Sequence, residues 1–448
     1  MTNIHELLRD HVTLTVECLD RIYLNGYIPG LQTSGQLVNF LIKHRGNPIP
    51  SPALLGRITQ DFTQAVKVYA EQNAIPIVHF ESKQRKDDVA AEYRQGYERP
   101  EGVVFIGVAQ EKANAFKGRK KEQSGWVGFE YSRVSVSVNH YYFYLQDAEF
   151  GPAFIKVCSY APYAIKVYLN GHEWVKQQLV KAGIAFETLD NGFLVCSDVQ
   201  RLQELCDELG PNHILAFFAK WIERLPMPLT TEDRQAGYDH RLSIWQLEVS
   251  HTQVFDDPVS GQAFFEAVIR ENLDLGRPDR VQLIFDRKII KSTPGQFRTR
   301  VIEHGVQPSL HIEYKKSRVK QYFKEGRALR TETTINDPTD FGVKKDISQL
   351  PYLQQIGRTV NRRLLDVQHV SHNCHLSQEN VNRVVLPTIT EDGQRAPGLR
   401  FAQPRVMALF AALASFVPMT HGFTNASLRT RVADLLGVEH DQYSASQL

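Results

Sequence analysis

The sequence lacks the residues and motifs that mark several common protein classes. Its five cysteines are scattered over 448 residues without a Cys-x-x-Cys pair, which argues against a disulfide framework or a zinc ribbon. The N-terminal stretch has no apolar signal-peptide core, and no apolar run is long enough to span a bilayer. We therefore expect a soluble cytoplasmic protein with no membrane partner.

Nucleotide-binding and hydrolase signatures are missing as well. There is no P-loop, no Gly-x-Gly-x-x-Gly after a predicted strand, no Gly-x-Ser-x-Gly and no His-Glu-x-x-His. The charge is almost balanced, with 52 Lys and Arg against 50 Asp and Glu. A surface that binds a polyanion must therefore come from a local cluster of cations. The remaining composition, 42% hydrophobic and 23% charged, is that of a globular protein.

Hydrophobic periodicity predicts a multidomain fold of the α/β and α+β classes. Residues 1–128 are predicted as an α/β domain with some parallel pairing, and residues 129–228 as an aromatic-rich α+β domain built on an antiparallel meander. Residues 229–345 are predicted as a mostly antiparallel β domain with the strands VQLIFD, FRTRVIEH, SLHIEY and LRTETTI. Residues 346–448 are predicted as a helical region that ends in a truncated helix-turn-helix, with a plain helical tail as the alternative.

The densest mixture of cationic, aromatic and acidic residues lies in residues 308–337. SLHIEY and LRTETTI are predicted as two strands joined by a basic connection. Alternation places His311 and Glu313 on one face of the first strand, and Arg330 and Glu332 on one face of the second. If the two strands pair, these side chains converge. A histidine and two carboxylates suit Mg²⁺ or Mn²⁺, and an arginine beside them suits a phosphate.

This stretch yields three sets of predicted functional residues. The predicted catalytic residues are His311, Glu313, Tyr322 and Glu332, and the predicted metal ligands are His311, Glu313 and Glu332. Tyr314, Tyr322 and Phe323 are available to stack on bases. The predicted nucleic-acid contacts come from this stretch and from a basic loop near residue 119: Lys315, Lys316, Arg318, Lys320, Lys324, Arg327, Arg330, Lys117, Arg119 and Lys120.

The His-x-Glu strand with Tyr322 resembles the rolling-circle replication nucleases, which pair a histidine metal site with a nucleophilic tyrosine. Those enzymes carry a second histidine where Glu313 stands here. A solvated sheet face with cross-strand ion pairs is the structural alternative. The nucleic-acid interpretation predicts that four cations share one electropositive surface: Lys320, Lys324, Arg327 and Arg330. It also predicts that replacing Lys324 and Arg327 by alanine weakens nucleic-acid binding.

A second candidate metal set lies at predicted strand ends in the N-terminal region. Asp87, Asp88 and Glu111 can hold a divalent ion, with Lys112 beside them to support an attacking water. The pattern resembles restriction-type nucleases, although Gln110 occupies the position of the second acid. The alternative is that the two aspartates cap the helix DVAAEYRQ.

Histidines elsewhere suggest two further sites. The first is a zinc site, with a surface cluster as the alternative, and it would use His369, His372, Cys374 and His375. A small-molecule enzyme would need a deep apolar pocket near His140, Tyr142 and Trp174.

Five stretches together resemble a known group: LNGHEWVKQQL, ETLDNGFL, IRENLDLGRPDRVQLIFDR, QYFKEGRALRTETTIND and APGLRF. They are similar to a broad family of uncharacterised bacterial proteins, over nearly the whole chain. Longer members of that family continue past the equivalent of SASQL into a winged helix. The resemblance implies a DNA-binding C-terminus in those longer relatives and a shortened form here, and it implies no activity and no site residue.

Taken together, these features predict a protein that binds DNA or RNA. The extended hypothesis is a metal-dependent nuclease of a bacterial mobile element or defence system, with Mg²⁺ or Mn²⁺ as cofactor. The alternatives are a non-catalytic DNA-binding or scaffold protein, and a small-molecule enzyme that uses the aromatic-rich region.

Overall fold

The computed structural model describes residues 2–4, 8, 10–123, 126–304, 307–370, 385–389, 393–400, 402–416, 423–440 and 443–444. The chain divides into two compact units, Met1–His372 and Asn373–Leu448. The first unit is built on an eleven-stranded sheet with helices against it, and the second is mainly helical. The predicted mixed fold class, with antiparallel sheets and a helical C-terminus, is confirmed. None of the described helices combines the length and apolarity needed to cross a bilayer.

The strands are β1 (Thr2–Asn3), β2 (Val12–Tyr27), β3 (Ile77–His79), β4 (Gly102–Gln123), β5 (Trp126–Asp147), β6 (Gly151–Cys158), β7 (Ile165–Asn170), β8 (Phe186–Leu189), β9 (Gly192–Cys196), β10 (Arg241–Phe255), β11 (Thr299–His304), β12 (Gln307–Tyr314), β13 (Ser317–Lys324), β14 (Ala328–Ile335), β15 (His369–Val370), β16 (Thr388–Ile389) and β17 (Arg395–Ala396). The large sheet has the order β11-β12-β13-β14-β10-β2-β7-β6-β5-β4-β3. Its neighbours are antiparallel except β3 and β4, which are parallel as the α/β prediction expected. The pairs β1–β15, β8–β9 and β16–β17 form small separate ribbons.

The helices are α1 (Ser34–Asn39), α2 (Pro52–Asn73), α3 (Lys86–Gln95), α4 (Gly171–Ala182), α5 (Val199–Glu208), α6 (Pro211–Arg224), α7 (Thr231–Gln235), α8 (Pro258–Glu271), α9 (Pro278–Phe285), α10 (Leu350–Val367), α11 (Pro404–Phe416) and α12 (Asn425–Leu436). A π-helical turn, Phe40–His44, extends α1, and short 3₁₀ helices occupy Pro29–Leu31, Pro338–Phe341 and Ile347–Gln349. Ser51 caps α2, and Gly183 ends α4 in the left-handed conformation.

The large sheet crosses the predicted domain boundaries at residues 128 and 228. Strand β2 pairs with β7 on one side and with β10 on the other, so it joins all three regions that were predicted as separate β-containing domains. Those boundaries lie inside one compact unit, and the boundary that does appear follows His372. Local signals such as two prolines in LPMPLT mark a turn, but they do not show which distant strands will pair.

Two segments near the C-terminal end of the sheet differ from their predictions. VQLIFD was expected to be a strand and belongs to α9, because Val281, Ile284 and Phe285 repeat at helical spacing and are buried. The predicted basic connection is strand β13, in which buried Val319, Gln321 and Phe323 alternate with half-buried Arg318, Lys320 and Tyr322. This additional strand changes which side chains meet within residues 308–337, here termed the focal stretch.

The two faces of the sheet around β10 differ in chemistry. On the helix-covered face, α10 lies so close to β10 that a Cβ on Gly357 would approach Val249 Cγ2 to 2.6 Å. The opposite face, here termed the polar face, carries charged and aromatic side chains from β13 through β4. The candidate site lies on the polar face.

The second unit contains α11 and α12, whose apolar residues pack together: Ala408, Ala412, Leu428, Val432 and Ala433. A capping box between Thr424 and Ser427 begins α12, and Gly437 ends it in the left-handed conformation. The second helix of the predicted helix-turn-helix would continue through residues 445–448, which lie outside the described residues.

Candidate functional site

Three buried carboxylates from adjacent strands meet on the polar face. Asp20 lies on β2, Glu248 on β10 and Glu332 on β14, and each offers an oxygen within 4.8 Å of the other two. All three side chains are buried, with Glu248 the most exposed residue at 6%. We term this group the carboxylate centre. Hard oxygen donors of this kind are the preferred ligands of Mg²⁺ and Mn²⁺.

A β-bulge in β2 brings Asp20 into the centre. Two consecutive residues, Asp20 and Arg21, stand opposite the single residue Glu248 of β10. In a regular strand two neighbouring side chains point to opposite faces, and a bulge relaxes that rule. Both side chains therefore reach the same partner, with Arg21 Nε 3.8 Å from a carboxylate oxygen of Glu248.

Cations surround the carboxylate centre. Arg330 is 1% exposed, donates hydrogen bonds to Asp20 and to the backbone carbonyl of Asn191, and places its Nε 3.4 Å from Glu332. Lys320 Nζ lies 3.0 Å from the other oxygen of Glu332. With Arg21, these groups give three cations around three carboxylates.

The cations stabilise the ionised form of Asp20 more than that of Glu248. Burial would raise the pKa of Asp20, but Arg330 and His172 hold it well below its ordinary value. Burial, followed by the charges of the neighbouring carboxylates Glu332 and Asp20, raises the pKa of Glu248 to about 7. Burial and like charge therefore favour the protonated form of Glu248 more than that of an ordinary carboxyl at neutral pH. A divalent cation would favour its ionised form, so that metal binding would release a proton.

A buried hydroxyl beside the centre also lacks a partner. Thr334 stands opposite Glu248 on the neighbouring strand, is fully buried, and has no hydrogen bond to its Oγ1 among the described residues. An unsatisfied buried polar group costs about 1–3 kcal/mol. A ligand or its bound water at the carboxylate centre would offer this hydroxyl a partner.

Four of the predicted residues lie together at this site. Pairing of β13 with β14 places Lys320 opposite Glu332 and Tyr322 opposite Arg330. The hydroxyl of Tyr322 lies 3.4 Å from Glu332. Burial, followed by the charge of Glu332, raises the pKa of Tyr322, which disfavours the phenolate that a nucleophilic tyrosine requires.

The predicted metal set of His311, Glu313 and Glu332 does not form. Strand β13 separates β12 from β14, and His311 stands opposite Lys320 rather than beside Glu332. Two strand spacings correspond to roughly 10 Å, too far for a shared ion. Glu313 instead accepts a hydrogen bond from Arg300 at 2.8 Å. The prediction was wrong because it treated β13 as a connection, and Glu332 joins Asp20 and Glu248 instead.

The predicted open cationic surface does not form either. Lys320 contacts Glu332, Lys324 lies 3.1 Å from Glu325, and Arg330 is buried. Arg327 is exposed and has no ion pair within the described part of the chain. The protein's own acids, placed on β14 and in nearby turns, neutralise most of this stretch.

The other three predicted cations of the focal stretch are also engaged or partly buried. Lys316 pairs with Asp337 at 2.7 Å, and Lys315 donates to the backbone carbonyl of Asp340 at 3.2 Å. Arg318 is half-buried opposite Glu313. These positions place few unpaired charges on the surface.

The remaining predicted cations lie on a long hairpin formed by β4 and β5. Lys117, Arg119 and Lys120 belong to β4 rather than to a loop, and all three are exposed. No ion pair holds any of them in the described residues. This basic hairpin, defined by these three residues, keeps the open positive charge that nucleic-acid contact requires.

The second predicted metal set does not assemble. Burial would raise the pKa of Glu111, but hydrogen bonds from Lys156 and Lys86 outweigh it and lower the pKa to about 2. Asp87 and Asp88 lie in the first turn of α3, as the helix-capping alternative expected. In the described residues, the only group of three close ligands is the carboxylate centre.

A cavity of about 340 Å³ adjoins the carboxylate centre, and we term it the aromatic cavity. Arg21, Asn170 and Asn191 line its inner end, and Asn191 donates a hydrogen bond to Asp20. A row of rings from four neighbouring strands also lines it: Tyr23, Tyr168, Phe154 and Tyr144. Tyr23 and Tyr168 have ring centroids 5.0 Å apart, and Tyr168 and Phe154 5.3 Å apart. The partly exposed rings of Tyr23, Tyr168 and Phe154 can stack on planar bases, whereas Tyr144 is buried.

The other histidine hypotheses find less support. His369 lies in β15, and the rest of the zinc group, residues 372–375, lies outside the described residues. His140 lines a cavity with charged walls, whereas Trp174 lines a separate cavity with Phe217. The predicted apolar pocket shared by His140, Tyr142 and Trp174 is therefore not present among the described residues.

Glu248 and the aromatic row were not identified from the sequence. Glu248 offered one signal, an acid in the middle of a long predicted strand. The ring row offered none, because its members come from strands far apart in the chain and become neighbours only through pairing.

The polar face thus combines carboxylates, cations and rings. Comparison of the chain with protein-family models, curated proteins and solved structures finds no match. The function must therefore be argued from the chemistry of this face.

Proposed function

We propose that the protein is a nucleic-acid-binding, metal-dependent phosphodiesterase whose carboxylate centre holds Mg²⁺ or Mn²⁺. The observation that supports this most is the convergence of Asp20, Glu248 and Glu332, with ligand oxygens within 4.8 Å. A divalent ion in such a site can polarise a phosphoryl oxygen and lower the pKa of a bound water. Glu248 would give up its proton when the ion binds.

The groups around the centre favour a phosphodiester as the substrate. Arg21 and Lys320 stand beside the carboxylates, where they would face phosphate oxygens of a bound strand. The side chain of Lys320 is 26% exposed, so it is reachable from solvent. The aromatic cavity next to the centre offers stacking surfaces for bases, and the basic hairpin offers salt-sensitive phosphate contacts.

The test is an assay of labelled single- and double-stranded DNA and RNA with Mg²⁺ or Mn²⁺, repeated in EDTA. We expect cleavage of at least one substrate with metal and none in EDTA. Glu248→Gln should lower the rate by about 100-fold or more, because the amide keeps the shape but cannot become an anionic ligand. Glu313→Gln, on the same stretch but paired with Arg300, is the matched control and should cleave normally.

Absence of cleavage on every substrate, or equal cleavage by the wild type and Glu248→Gln, would contradict the proposal. A second candidate function is nucleic-acid binding without hydrolysis. The near-equal number of cations and carboxylates at the centre favours it, because such a network can be purely structural. Metal-independent binding without product would identify this second function.

A further inference from the structure

A second cavity on the polar face has cationic walls. It measures about 380 Å³ and is lined by Lys112, Arg133, Lys156 and Lys166. Among the described residues, Glu111 is the one carboxylate in its lining. We term this cavity the cationic pocket.

Two of these lysines stand directly opposite each other. Lys156 on β6 pairs in register with Lys166 on β7. Like charges at directly opposite positions destabilise a sheet. Glu111 forms an ion pair with Lys156, but it is shared with Lys86, which lies 2.5 Å away. The single negative charge of Glu111 is therefore already shared between Lys86 and Lys156, without counting Lys166.

Within the described residues, Lys166 has no carboxylate of its own. No ion pair or hydrogen bond to its Nζ occurs within the described residues, and its Nζ lies 3.3 Å from the ring centroid of Trp245. Burial, followed by the charge of Lys156, lowers the pKa of Lys166 to about 8. Arg133 likewise contacts the neutral oxygen of Gln32, at 3.0 Å, rather than an acid. The pocket holds positive charge that the described part of the protein does not neutralise.

Strand β7 connects this pocket to the carboxylate centre. Lys166, Tyr168 and Asn170 alternate along one face, so the first and last lie about 14 Å apart at roughly 3.4 Å per residue. Tyr168 lines the aromatic cavity, and Asn170 donates to Asn191, the residue that donates to Asp20. Carboxylates, rings and cations thus follow one another along one strand.

We propose that the cationic pocket binds a phosphate monoester. A monoester carries about −1.5 to −2 charge near neutral pH, which suits the unshared charges of Lys166 and Arg133. Given the proposed function, on which this part rests, the monoester is the terminal phosphate of a nucleic-acid strand. The bases next to that end would stack in the aromatic cavity, and the strand would continue to the carboxylate centre.

The test is fluorescence anisotropy in EDTA, with short single-stranded oligonucleotides that carry a 5′-phosphate, a 3′-phosphate or only hydroxyl ends. We expect one phosphorylated end to bind about 10-fold more tightly than the hydroxyl form. Lys166→Met should remove this preference and Lys166→Arg should keep most of it. Lys67→Met, which removes an exposed lysine on α2, should keep it.

A second arm separates the two sources of the phosphate. Inorganic phosphate and a nucleoside monophosphate are titrated calorimetrically into the wild type and Lys166→Met, after circular dichroism has shown that the variant is folded. Lys166-dependent binding of these small ligands, without any end preference, would keep the phosphate pocket and overturn its link to a strand. If Lys166 affects neither experiment, the pocket is overturned, whether or not the protein cleaves nucleic acid.

Discussion

Strands β2 and β10 carry buried carboxylates on both faces of the sheet, and the two clusters of charged residues that contain them differ in how their charge is balanced. On the helix-covered face, Glu17 of β2 contacts His251 of β10 at 3.0 Å and accepts two hydrogen bonds from Arg362 of α10. Burial would raise the pKa of Glu17, but these bonds lower it to about 2. On the polar face, burial and two other carboxylates raise the pKa of Glu248 to about 7.

The difference separates a structural carboxylate from a candidate functional one. Glu17 is fully matched by its partners and links α10 to the sheet. Glu248 belongs to a group in which three cations offset three carboxylates unequally, and a strongly shifted pKa is typical of functional sites.

The largest effect on stability is expected from Asp20→Ala. The change leaves Arg330 fully buried without its main partner, and breaking a buried ion pair costs about 3–5 kcal/mol. Urea denaturation measures the loss. Asp190→Ala, which removes an exposed acid in a nearby turn, should stay within about 0.5 kcal/mol of the wild type. A loss under about 1 kcal/mol for Asp20→Ala would mean that Arg330 finds other partners.

A smaller loss of stability is expected from Glu17→Gln, about 1–3 kcal/mol, because hydrogen bonds to a charged group are lost while Arg362 keeps access to solvent. Affinity for Mn²⁺ should be unchanged, since this cluster lies on the other face of the sheet. Weaker Mn²⁺ binding by the Glu17→Gln variant would contradict the distinction between Glu17 as a structural carboxylate and Glu248 as a functional one.

The pH dependence of stability should have opposite sign at the two sites. The pKa of Glu248 in the folded state, about 7, lies above the ordinary value of 4.5, so its stabilising contribution is present below about pH 4.5 and lost as pH rises through 7. The pKa of Glu17 is lowered from 4.5 to about 2, so its contribution is present above about pH 4.5 and lost as pH falls through 2.

Thermal unfolding of the wild type and Glu248→Gln between about pH 5 and 8 tests the first of these signs. The wild type should lose about 1–3 kcal/mol relative to the variant across this range, since one pKa unit corresponds to about 1.4 kcal/mol. Saturating Mn²⁺ should reverse the loss in the wild type alone. Parallel curves for the two proteins would show that Glu248 titrates normally.

The smallest effect is expected at the basic hairpin. Alanine at Lys117, Arg119 and Lys120 should weaken nucleic-acid binding and reduce the slope of log K against log salt by up to about 2 for a single strand. Alanine at Lys324 and Arg327 should have less effect, because Lys324 is already paired with Glu325. A larger effect at the second pair would restore the focal stretch as the contact surface.

Local features of the fold were accessible from the sequence. Alternation identified β12 and β14. The same alternation placed Arg330 and Glu332 on one face, which the structure retains. These predictions succeeded because each depends on neighbours within a few residues.

Long-range features were not accessible. Pairing of β2 with both β7 and β10 unites regions that looked like separate domains, and one overlooked strand, β13, moved His311 away from Glu332. The bulge that turns Asp20 toward Glu248 depends on a register mismatch between two strands more than 200 residues apart in the chain. Without pairing information, Asp20 was an acid near a strand end and Glu248 one acid among many.

The most direct test of the carboxylate centre is calorimetric titration of Mn²⁺ into the wild type and Glu248→Gln at pH 7, in two buffers with different ionisation enthalpies. We predict binding to the wild type with proton release, as expected for a carboxyl whose pKa is raised by burial and neighbouring charge, and much weaker binding to the variant. Equal affinity in the two proteins, or wild-type binding without proton release, would contradict the assignment of this centre as a metal site.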